Sequence, residues 1–220
     1  MSYLDQVRAR VVNISSPTAT VPERLVLDTN VLHWVFYDNL EALEAAHDGG
    51  RILSAHQRTY KPWLKPALPD QRVKLFTSLV SIMELVNTTE VAELQLRWMS
   101  DPQRRNVGWD ERRGKKQARR ELFDELADMR HAALTYVKAT RKVVEVLPMS
   151  DVSASFRRGC EVWRSSSTDL GDAMLVAAAQ QLNLTALLTD DADLATVEGL
   201  TVYTANPQLI QTARQAGRLQ

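Results

Sequence analysis

The sequence predicts an α/β fold of three layers, in which a central, mostly parallel sheet of about five strands is flanked by helices. Short apolar runs of strand length alternate along the chain with stretches of helical periodicity. This alternation is typical of parallel sheets, because each connection between neighbouring parallel strands is a crossover helix. The predicted strands cover residues 24–28, 73–77, 143–147, 185–189 and 200–203.

The helices are predicted from apolar residues spaced three and four apart and from capping residues at their boundaries. Ser78 is placed to cap the helix after the second strand, and Asn183 ends an alanine-rich helix that begins at Asp169. The alanine-rich helix is apolar on most of its surface, so we expect it to be deeply buried. Further helices are predicted over residues 122–136 and 150–163 and after Asn206-Pro207.

The domain organisation is predicted to be one elaborated domain, residues 24–220, preceded by a loosely attached N-terminal arm, residues 1–23. Two insertions lengthen the domain, around residues 51–72 and 101–140. The first insertion contains three prolines, Pro62, Pro66 and Pro69, and is interpreted as a surface connection in which proline replaces regular structure.

Composition limits the classes of protein that this chain can represent. Its 220 residues include 27 basic and 27 acidic residues, and 45% are hydrophobic. The single cysteine, Cys160, excludes an internal disulfide and a zinc site built from cysteines, and it fits a reducing cytoplasm. No apolar run approaches the roughly 20 residues needed to span a bilayer, so no membrane association is expected.

Charge is distributed unevenly although the net charge is zero. Residues 101–120 contain eight Lys or Arg against three Asp or Glu, whereas residues 169–193 contain five Asp and no Lys or Arg. A basic segment and an acidic segment therefore coexist in one neutral chain.

Four carboxylates follow strands or begin helices, where the predicted fold could bring them together: Asp28, Glu84, Asp172 and Asp191. Ligands gather at the carboxyl ends of strands in open α/β sheets. Clustered carboxylates repel one another, and burial drives an unpaired carboxylate toward protonation. No lysine or arginine accompanies these segments, so a divalent cation is the expected counter-charge, and hard oxygen ligands favour Mg²⁺ or Mn²⁺.

The four segments LVLDTNVL, SLVSIMEL, DLGDAMLVAAA and LLTDDADL resemble, in this order, the acidic motifs of PIN-domain nucleases, the family of the VapC-type toxins. The resemblance covers roughly residues 24–204. The four carboxylates named above match the four acidic positions of the family in sequence order. Asn30 and Ser81 match polar positions flanking the first two, Thr189 matches the hydroxyl before the last, and Asp193 matches an additional acidic position.

The resemblance implies a metal-dependent endoribonuclease that leaves 5′-phosphate and 3′-hydroxyl ends and uses one or two Mg²⁺ or Mn²⁺ ions. Asp28, Glu84 and Asp172 would hold the main ion, and Asp191 would bind a second ion directly or through water. The family also implies possible partners, an antitoxin protein and a second copy of the chain. The alternatives are a non-catalytic PIN-like module that binds RNA or protein, and an RNA-processing or defence nuclease without an antitoxin.

Three neighbouring aspartates have open roles. Asp169 either caps the alanine-rich helix or binds metal, and Asp193 either binds metal or caps the short helix after it. Asp190 is expected to be a solvated neighbour of the site.

The basic interval is a candidate RNA contact, since Arg and Lys neutralise phosphates and a tryptophan can stack on a base. A solvated helix face, a flexible loop and a surface for a partner protein remain the alternatives. The candidate RNA-contact residues are Arg104, Arg105, Trp109, Arg112, Arg113, Lys115 and Lys116.

Overall fold

A computed structural model describes residues 6–46, 53–105, 114–148 and 151–220 and shows an α/β fold built on one parallel sheet. The strands are β1 (Arg10–Asn13), β2 (Arg24–Leu27), β3 (Lys74–Thr77), β4 (Val144–Val146), β5 (Ala186–Leu188) and β6 (Thr201–Thr204). Their spatial order is β1-β6-β5-β2-β3-β4, and every pairing is parallel. The five predicted strands are all present as β2 to β6.

The predicted number of strands is wrong by one, because β1 forms within the segment predicted to be an arm. The side chains of Val7, Ala9 and Val11 are buried in the core. The outer edge of β1 is also covered, since the Val11 N–H donates to the Arg218 carbonyl and the Gln220 N–H donates to the Val11 carbonyl. Four residues followed by a Ser-Ser-Pro tract give too short an apolar pattern to predict a strand.

The helices flank the sheet, and several begin at the capping residues that the sequence indicates. The Ser78 hydroxyl accepts the Ser81 N–H at 3.0 Å, and the Asn206 side chain accepts the N–H groups of Gln208 and Leu209. No helix in the described ranges is long and apolar enough to cross a membrane. The helices are α1 (Thr29–Phe36), α2 (Leu40–Ala46), α3 (Tyr60–Leu64), α4 (Leu79–Ser100), α5 (Pro102–Arg105), α6 (Gly114–Glu121), α7 (Leu126–Thr140), α8 (Val152–Ser165), α9 (Leu170–Gln181) and α10 (Pro207–Gln215).

Both faces of the sheet are buried, as alternate residues of β2 show. Val26 packs in a cluster with α9 residues, whereas Leu25 and Leu27 pack in a second cluster with residues of α1, α3 and α4. Each of these three β2 side chains is at most 1% exposed. This burial explains why the strand is a continuous apolar run, as parallel strands covered on both faces are, and it is compatible with a three-layer arrangement.

The prediction for residues 51–72 is wrong in one respect, because part of this insertion is helical and contributes to the core. Two short 3-10 turns, Gln57–Thr59 and Lys65–Ala67, flank α3. Tyr60 and Leu64 of α3 are both 0% exposed. Pro62 lies in the first turn of α3, and Pro66 is the second residue of the 3-10 turn Lys65–Ala67. Both are positions near a helix start, where a missing N–H is tolerated.

The second insertion forms a small core of its own with the carboxyl-terminal half of α4. Its buried members come from α4, α6 and α7 and their junctions: Leu94, Trp98, Met99, Ala118, Leu122, Leu126 and Met129. This packing holds the helices of the basic segment against α4.

If β1 is an integral strand, Val11→Ala lowers the free energy of unfolding by on the order of 2 kcal/mol, because it leaves a cavity in a fully buried site. Val152→Ala is the matched control, since the Val152 side chain is 65% exposed and its truncation should change stability by less than about 0.5 kcal/mol. Urea denaturation of both variants measures the difference. Equal stabilities would show that the first strand is dispensable to the fold.

Candidate metal centre

The sheet topology places the carboxyl ends of β2 and β5 side by side. From β2 the sheet grows through β3 and β4 on one side, whereas β5 and β6 are added on the other, so the order of strand addition reverses between β2 and β5. Asp28 follows β2 directly, and its N–H donates to the Leu188 carbonyl at the end of β5 at 3.2 Å. Such reversal points are the usual ligand sites of open parallel sheets.

The Asp28 carboxylate is buried, with 4% exposure, and is held by two hydrogen bonds. The Thr189 hydroxyl donates to its Oδ2 at 2.9 Å, and the Thr29 N–H donates to its Oδ1 at 2.5 Å. The Thr189 Oγ1 also accepts the Asp191 N–H at 2.9 Å. Thr189, whose matching position the sequence indicates, therefore links the first predicted ligand to the backbone of the fourth.

Glu84 lies in the second turn of α4 and is joined to the end of β2 through a hydroxyl. The Thr29 Oγ1 donates to Glu84 Oε2 at 2.7 Å. The two polar residues expected to flank the first motifs do not make such contacts. Ser81 bonds to Ser78 within the α4 cap, and Asn30 is exposed and makes none of the described hydrogen bonds to an acidic residue.

The start of α9 brings Asp172 to the same group and gives Asp169 a defined role. Asp169 caps the helix, because its Oδ1 accepts the Asp172 N–H at 2.9 Å. A Cβ atom on Gly171 would lie 2.8 Å from Glu84 Oε1 and 3.3 Å from Asp169 Oδ1. A side chain at position 171 would therefore require the Glu84 carboxylate to move from this position.

Burial and mutual repulsion determine the protonation of the group. Burial, together with the charges of Asp28, Asp169, Asp191 and Glu84, raises the pKa of Asp172 to about 8. The pKa of Asp28 is raised to about 6, because burial and the charges of Asp191 and Glu84 outweigh the lowering effect of the hydrogen bonds from Thr189 and Thr29. The four carboxylates are therefore close enough to repel one another.

The loop after β5 carries the remaining acidic residues. Asp191 Oδ1 accepts the Asp193 N–H at 2.8 Å, so Asp191 rather than Asp193 bonds to the start of the 3-10 turn Asp193–Thr196. Burial raises the pKa of Asp193, and the charges of Asp191 and Asp169 add to the rise. Asp193 therefore lies near enough to the acidic group to be affected by its charge.

Asp190 is not the solvated neighbour that the sequence suggested. Its side chain is 14% exposed and accepts hydrogen bonds from three residues of the first insertion. The donors are the Tyr60 hydroxyl at 2.8 Å, His56 Nε2 at 3.3 Å and Gln57 Nε2 at 3.4 Å. Asp190 therefore points toward the insertion while Asp191 belongs to the acidic group.

The donor chemistry of the group fits a hard divalent cation, but the side chains do not surround a common point. In the described ranges, no lysine or arginine forms an ion pair with the predicted acidic ligands. No group of three or more His, Cys, Asp or Glu among the described residues is arranged so that it could hold a metal ion. Oxygen donors that repel one another favour a cation, and ligation requires that carboxylates such as Glu84 and Asp172 rotate toward it.

The predicted RNA-contact residues are divided among different environments. Arg104 lies over the Trp98 ring and near Asp101 and Glu121, at 3.5 and 3.6 Å. The Lys115 Nζ donates to Asn87 Oδ1 at 2.5 Å, and Lys116 is exposed. Trp109, Arg112 and Arg113, and the side chain of Arg105, lie outside the described residues.

Three residues of the site were not predicted from the sequence, and they differ in how far a local sequence pattern could have indicated them. Thr29 follows Asp28 directly and could have been considered as a hydroxyl donor. Gly171 stands beside Asp172 in a helix that is otherwise rich in alanine, where a glycine is unexpected. Tyr60 has no such signal, because its contacts are with residues about 130 to 145 positions later in the chain.

Without a divalent cation, Asp172→Asn should raise the free energy of unfolding at pH 8.5 by on the order of 2 kcal/mol. A pKa raised from 3.8 to about 8 means that the folded chain holds this proton at pH values where the unfolded chain has lost it. The protein therefore loses stability as the pH rises from about 4 to above 8. Each unit of pKa difference corresponds to about 1.4 kcal/mol, and solvent screening at this partly exposed site reduces the total effect.

The measurement is urea denaturation at pH 4 and pH 8.5 in EDTA, with Asp124→Asn, a change at an exposed position, as the control. The advantage of Asp172→Asn should disappear near pH 4. An equal effect of both substitutions at pH 8.5 would contradict the raised pKa.

Gly171→Ala should leave the chain folded but displace the Glu84 carboxylate, because the new methyl group would overlap Glu84 Oε1 and that side chain can rotate away. Helix propensity favours alanine by about 1 kcal/mol, so the thermal midpoint should not fall. Mn²⁺ affinity, measured by calorimetry, should weaken about tenfold or more. Gly199→Ala, at a positive φ with no atom within 4 Å of the new Cβ, should show the opposite behaviour, lower stability with unchanged Mn²⁺ affinity.

Comparisons of the chain with protein-family models, with curated proteins and with solved structures find no match. The assignment of a function therefore depends on the geometry of the acidic group and on the motifs that carry the resemblance.

Proposed function

We propose that this protein is a metal-dependent endoribonuclease of the PIN type, with a three-layer PIN-like fold. One observation carries the proposal. Carboxylates from four separate segments of the chain meet at the reversal point of the sheet, where their charges help to raise the pKa values of Asp28 and Asp172 and no basic residue in the described ranges pairs with them. A protein keeps such an arrangement at a cost in stability, which a bound cation offsets.

The proposed ligand roles are those that the resemblance to PIN-domain nucleases implies. Asp28, Glu84 and Asp172 would hold the main Mg²⁺ or Mn²⁺ ion, and Asp191 would hold a second ion directly or through water. When bound, such ions activate water and stabilise the negative charge that develops on a phosphodiester, giving 5′-phosphate and 3′-hydroxyl ends. Asp169 and Asp193 border the group, Asp169 through its hydrogen bond to the α9 backbone and Asp193 through its bond to Asp191.

Two threonines keep the carboxylates oriented while ligands exchange. Thr189 donates its only hydroxyl proton to Asp28, and Thr29 donates its proton to Glu84. At Glu84 the bond from Thr29 engages Oε2 and leaves Oε1 available to a cation. Both oxygens of Asp28 accept a hydrogen bond, and each keeps a second lone pair that a cation can use. The ligand oxygens are thus restricted before an ion arrives, which lowers the entropy cost of binding.

RNA is the proposed substrate because the basic segment runs alongside the helix that carries Glu84. Lys115 bonds to Asn87, which lies one turn after Glu84 on α4. Lys116 and Arg120 on the same helix as Lys115 are exposed and can neutralise backbone phosphates. An RNA strand whose scissile phosphate lies at the acidic group would therefore pass near Lys115, which contacts α4 one turn after Glu84.

A protein partner, such as an antitoxin or a second copy of this chain, is supported by apolar side chains beside the acidic group. Leu79, Met83 and Leu170 are 48%, 65% and 39% exposed, respectively. Met83 and Leu170 lie within one turn of Glu84 and Asp172, respectively, and Leu79 lies five residues before Glu84 on the same helix. Exposed apolar side chains grouped at one place are typical of interaction surfaces.

A non-catalytic PIN-like module that binds RNA or protein is the second candidate function. It is favoured by the absence, among the described residues, of three side chains arranged to hold an ion. EDTA distinguishes the two functions, because it should abolish cleavage by a nuclease and leave binding by a module unchanged.

Asp28→Asn and Asp172→Asn should each lower Mg²⁺- or Mn²⁺-dependent RNA cleavage by about 100-fold or more, because each removes a charged ligand, and even an outer contact to a ligand is worth 10- to 100-fold. The rate is measured with a labelled RNA under single-turnover conditions, and circular dichroism verifies the fold. Asp124→Asn, an exposed residue on the second insertion, should retain the full rate. Unchanged cleavage by either site variant would exclude the proposed nuclease.

A further inference from the structure

Tyr60 is a buried residue of the first insertion whose hydroxyl reaches the carboxyl ends of β5 and β6. Its side chain is fully buried, and its ring packs against Trp34 with the ring centroids 5.5 Å apart. Polar atoms of four residues surround the hydroxyl oxygen within 3.0 Å: the Asp190 Oδ1, the Thr189 carbonyl, the Thr204 Oγ1 and the Ala205 N–H. The four polar partners therefore lie at the end of β6 or on the loops that follow β5 and β6.

The single proton of this hydroxyl limits the arrangement of its hydrogen bonds. The shortest contact is the one to Asp190 Oδ1, at 2.8 Å, and a bond from a hydroxyl to a carboxylate is stronger than one between neutral groups. The Ala205 N–H donates to the oxygen. Burial raises the pKa of Tyr60 well above its usual value, so the hydroxyl keeps its proton at neutral pH.

Two further residues of the insertion hold Asp190 from the same side. His56 Nε2 and Gln57 Nε2 lie 3.3 and 3.4 Å from Asp190 Oδ2, while Tyr60 bonds to Oδ1. The Asp190 backbone is held separately, because the Asn206 Nδ2 donates to its carbonyl at 2.8 Å. Both the side chain and the carbonyl of Asp190 are therefore fixed.

The residues on either side of Asp190 belong to the acidic group. Thr189 donates to Asp28, and the Asp191 N–H donates to Thr189. Rotation of the backbone at Asp190 would move both the Thr189 hydroxyl and the Asp191 carboxylate, because only one residue separates them. The conformation of one turn thus decides the position of two components of the site.

We propose that Tyr60 is a positioning residue, whose hydroxyl holds the turn Thr189–Asp191 in the conformation that directs Thr189 to Asp28 and Asp191 to the acidic group. The consequence for catalysis rests on the proposed function. The positioning itself does not, since it is a property of the metal-free chain. The first insertion is then part of the site's support rather than a surface connection.

The test compares Tyr60→Phe with Tyr37→Phe. Both substitutions keep a buried ring and remove one hydroxyl, and the Tyr37 hydroxyl bonds to Glu93, which also accepts a hydrogen bond from Asn39. Tyr60→Phe should increase the exchange rate of the Asp191 amide hydrogen in the metal-free protein about tenfold or more, because the turn loosens. Tyr37→Phe should leave that amide unchanged.

The exchange rate of a second amide hydrogen, that of Ala205, shows whether the Tyr60 hydroxyl acts only on its direct partner or also on the turn. The Ala205 N–H loses its acceptor in Tyr60→Phe and should exchange faster whatever the role of Tyr60. Faster exchange at Ala205 with no change at Asp191 would overturn the proposal. Asp190→Ala removes the acceptor from the other side of the contact, keeps Tyr60, and should give the same increase at Asp191.

The catalytic consequence is measured as Mn²⁺ affinity and as RNA cleavage. In Tyr60→Phe the Mn²⁺ affinity should fall about tenfold, as is typical when a supporting hydrogen bond is lost, and raised Mn²⁺ should restore the cleavage rate with the KM for RNA unchanged. Lower activity that Mn²⁺ does not restore, or an equal loss in Tyr37→Phe, would overturn the positioning role. If the wild-type chain neither binds Mn²⁺ nor cleaves RNA, the proposed function fails, and the exchange rate at Asp191 still decides the role of Tyr60.

Discussion

The hydrogen bond from Thr189 to Asp28 is the interaction on which the acidic group depends. It connects the ends of two neighbouring strands, and its donor is completely buried while its acceptor is 4% exposed. A buried carboxylate that lacked this donor would be driven further toward protonation. The same threonine oxygen accepts the Asp191 N–H, so the residue that lowers the pKa of Asp28 also holds the loop carrying another carboxylate.

The two strands that this bond joins are held in place by the apolar core. β2 and β5 have side chains buried on both faces, in the two main clusters of the core, and these strands cannot shift without opening that core. The repulsion among the carboxylates is concentrated at the strand ends, where the chain leaves the core. The stability that the acidic group costs is thus supplied by apolar packing away from the group, which is the usual relation between a stable scaffold and a strained site.

The acidic residues could be predicted from the sequence because their signals are local. Asp28 follows an apolar run, and Asp172 begins an apolar helix, so each is identified within about eight residues. β1 could not be predicted, since Arg10–Asn13 has a short pattern and gains its stability from β6, which lies about 190 residues later. The environment of Asp190 could not be predicted either, because its donors His56, Gln57 and Tyr60 are 130 to 134 residues away in the chain.

The two insertions differ in their relation to the acidic group. The first holds the loops next to the group in place, whereas the second presents exposed cations to a ligand. The first insertion makes hydrogen bonds to the loops after β5 and β6, so its contacts hold these loops in one conformation. The second has its own core against α4 and leaves cations such as Lys116 exposed, so it can contact a ligand without disturbing the carboxylates. Since α4 carries both Glu84 and the Asn87 partner of Lys115, a ligand phosphate near Lys115 and a cation near Glu84 would be held by one rigid helix, one turn apart. Under the proposed function, α4 would therefore fix the separation between the substrate phosphate and the cation.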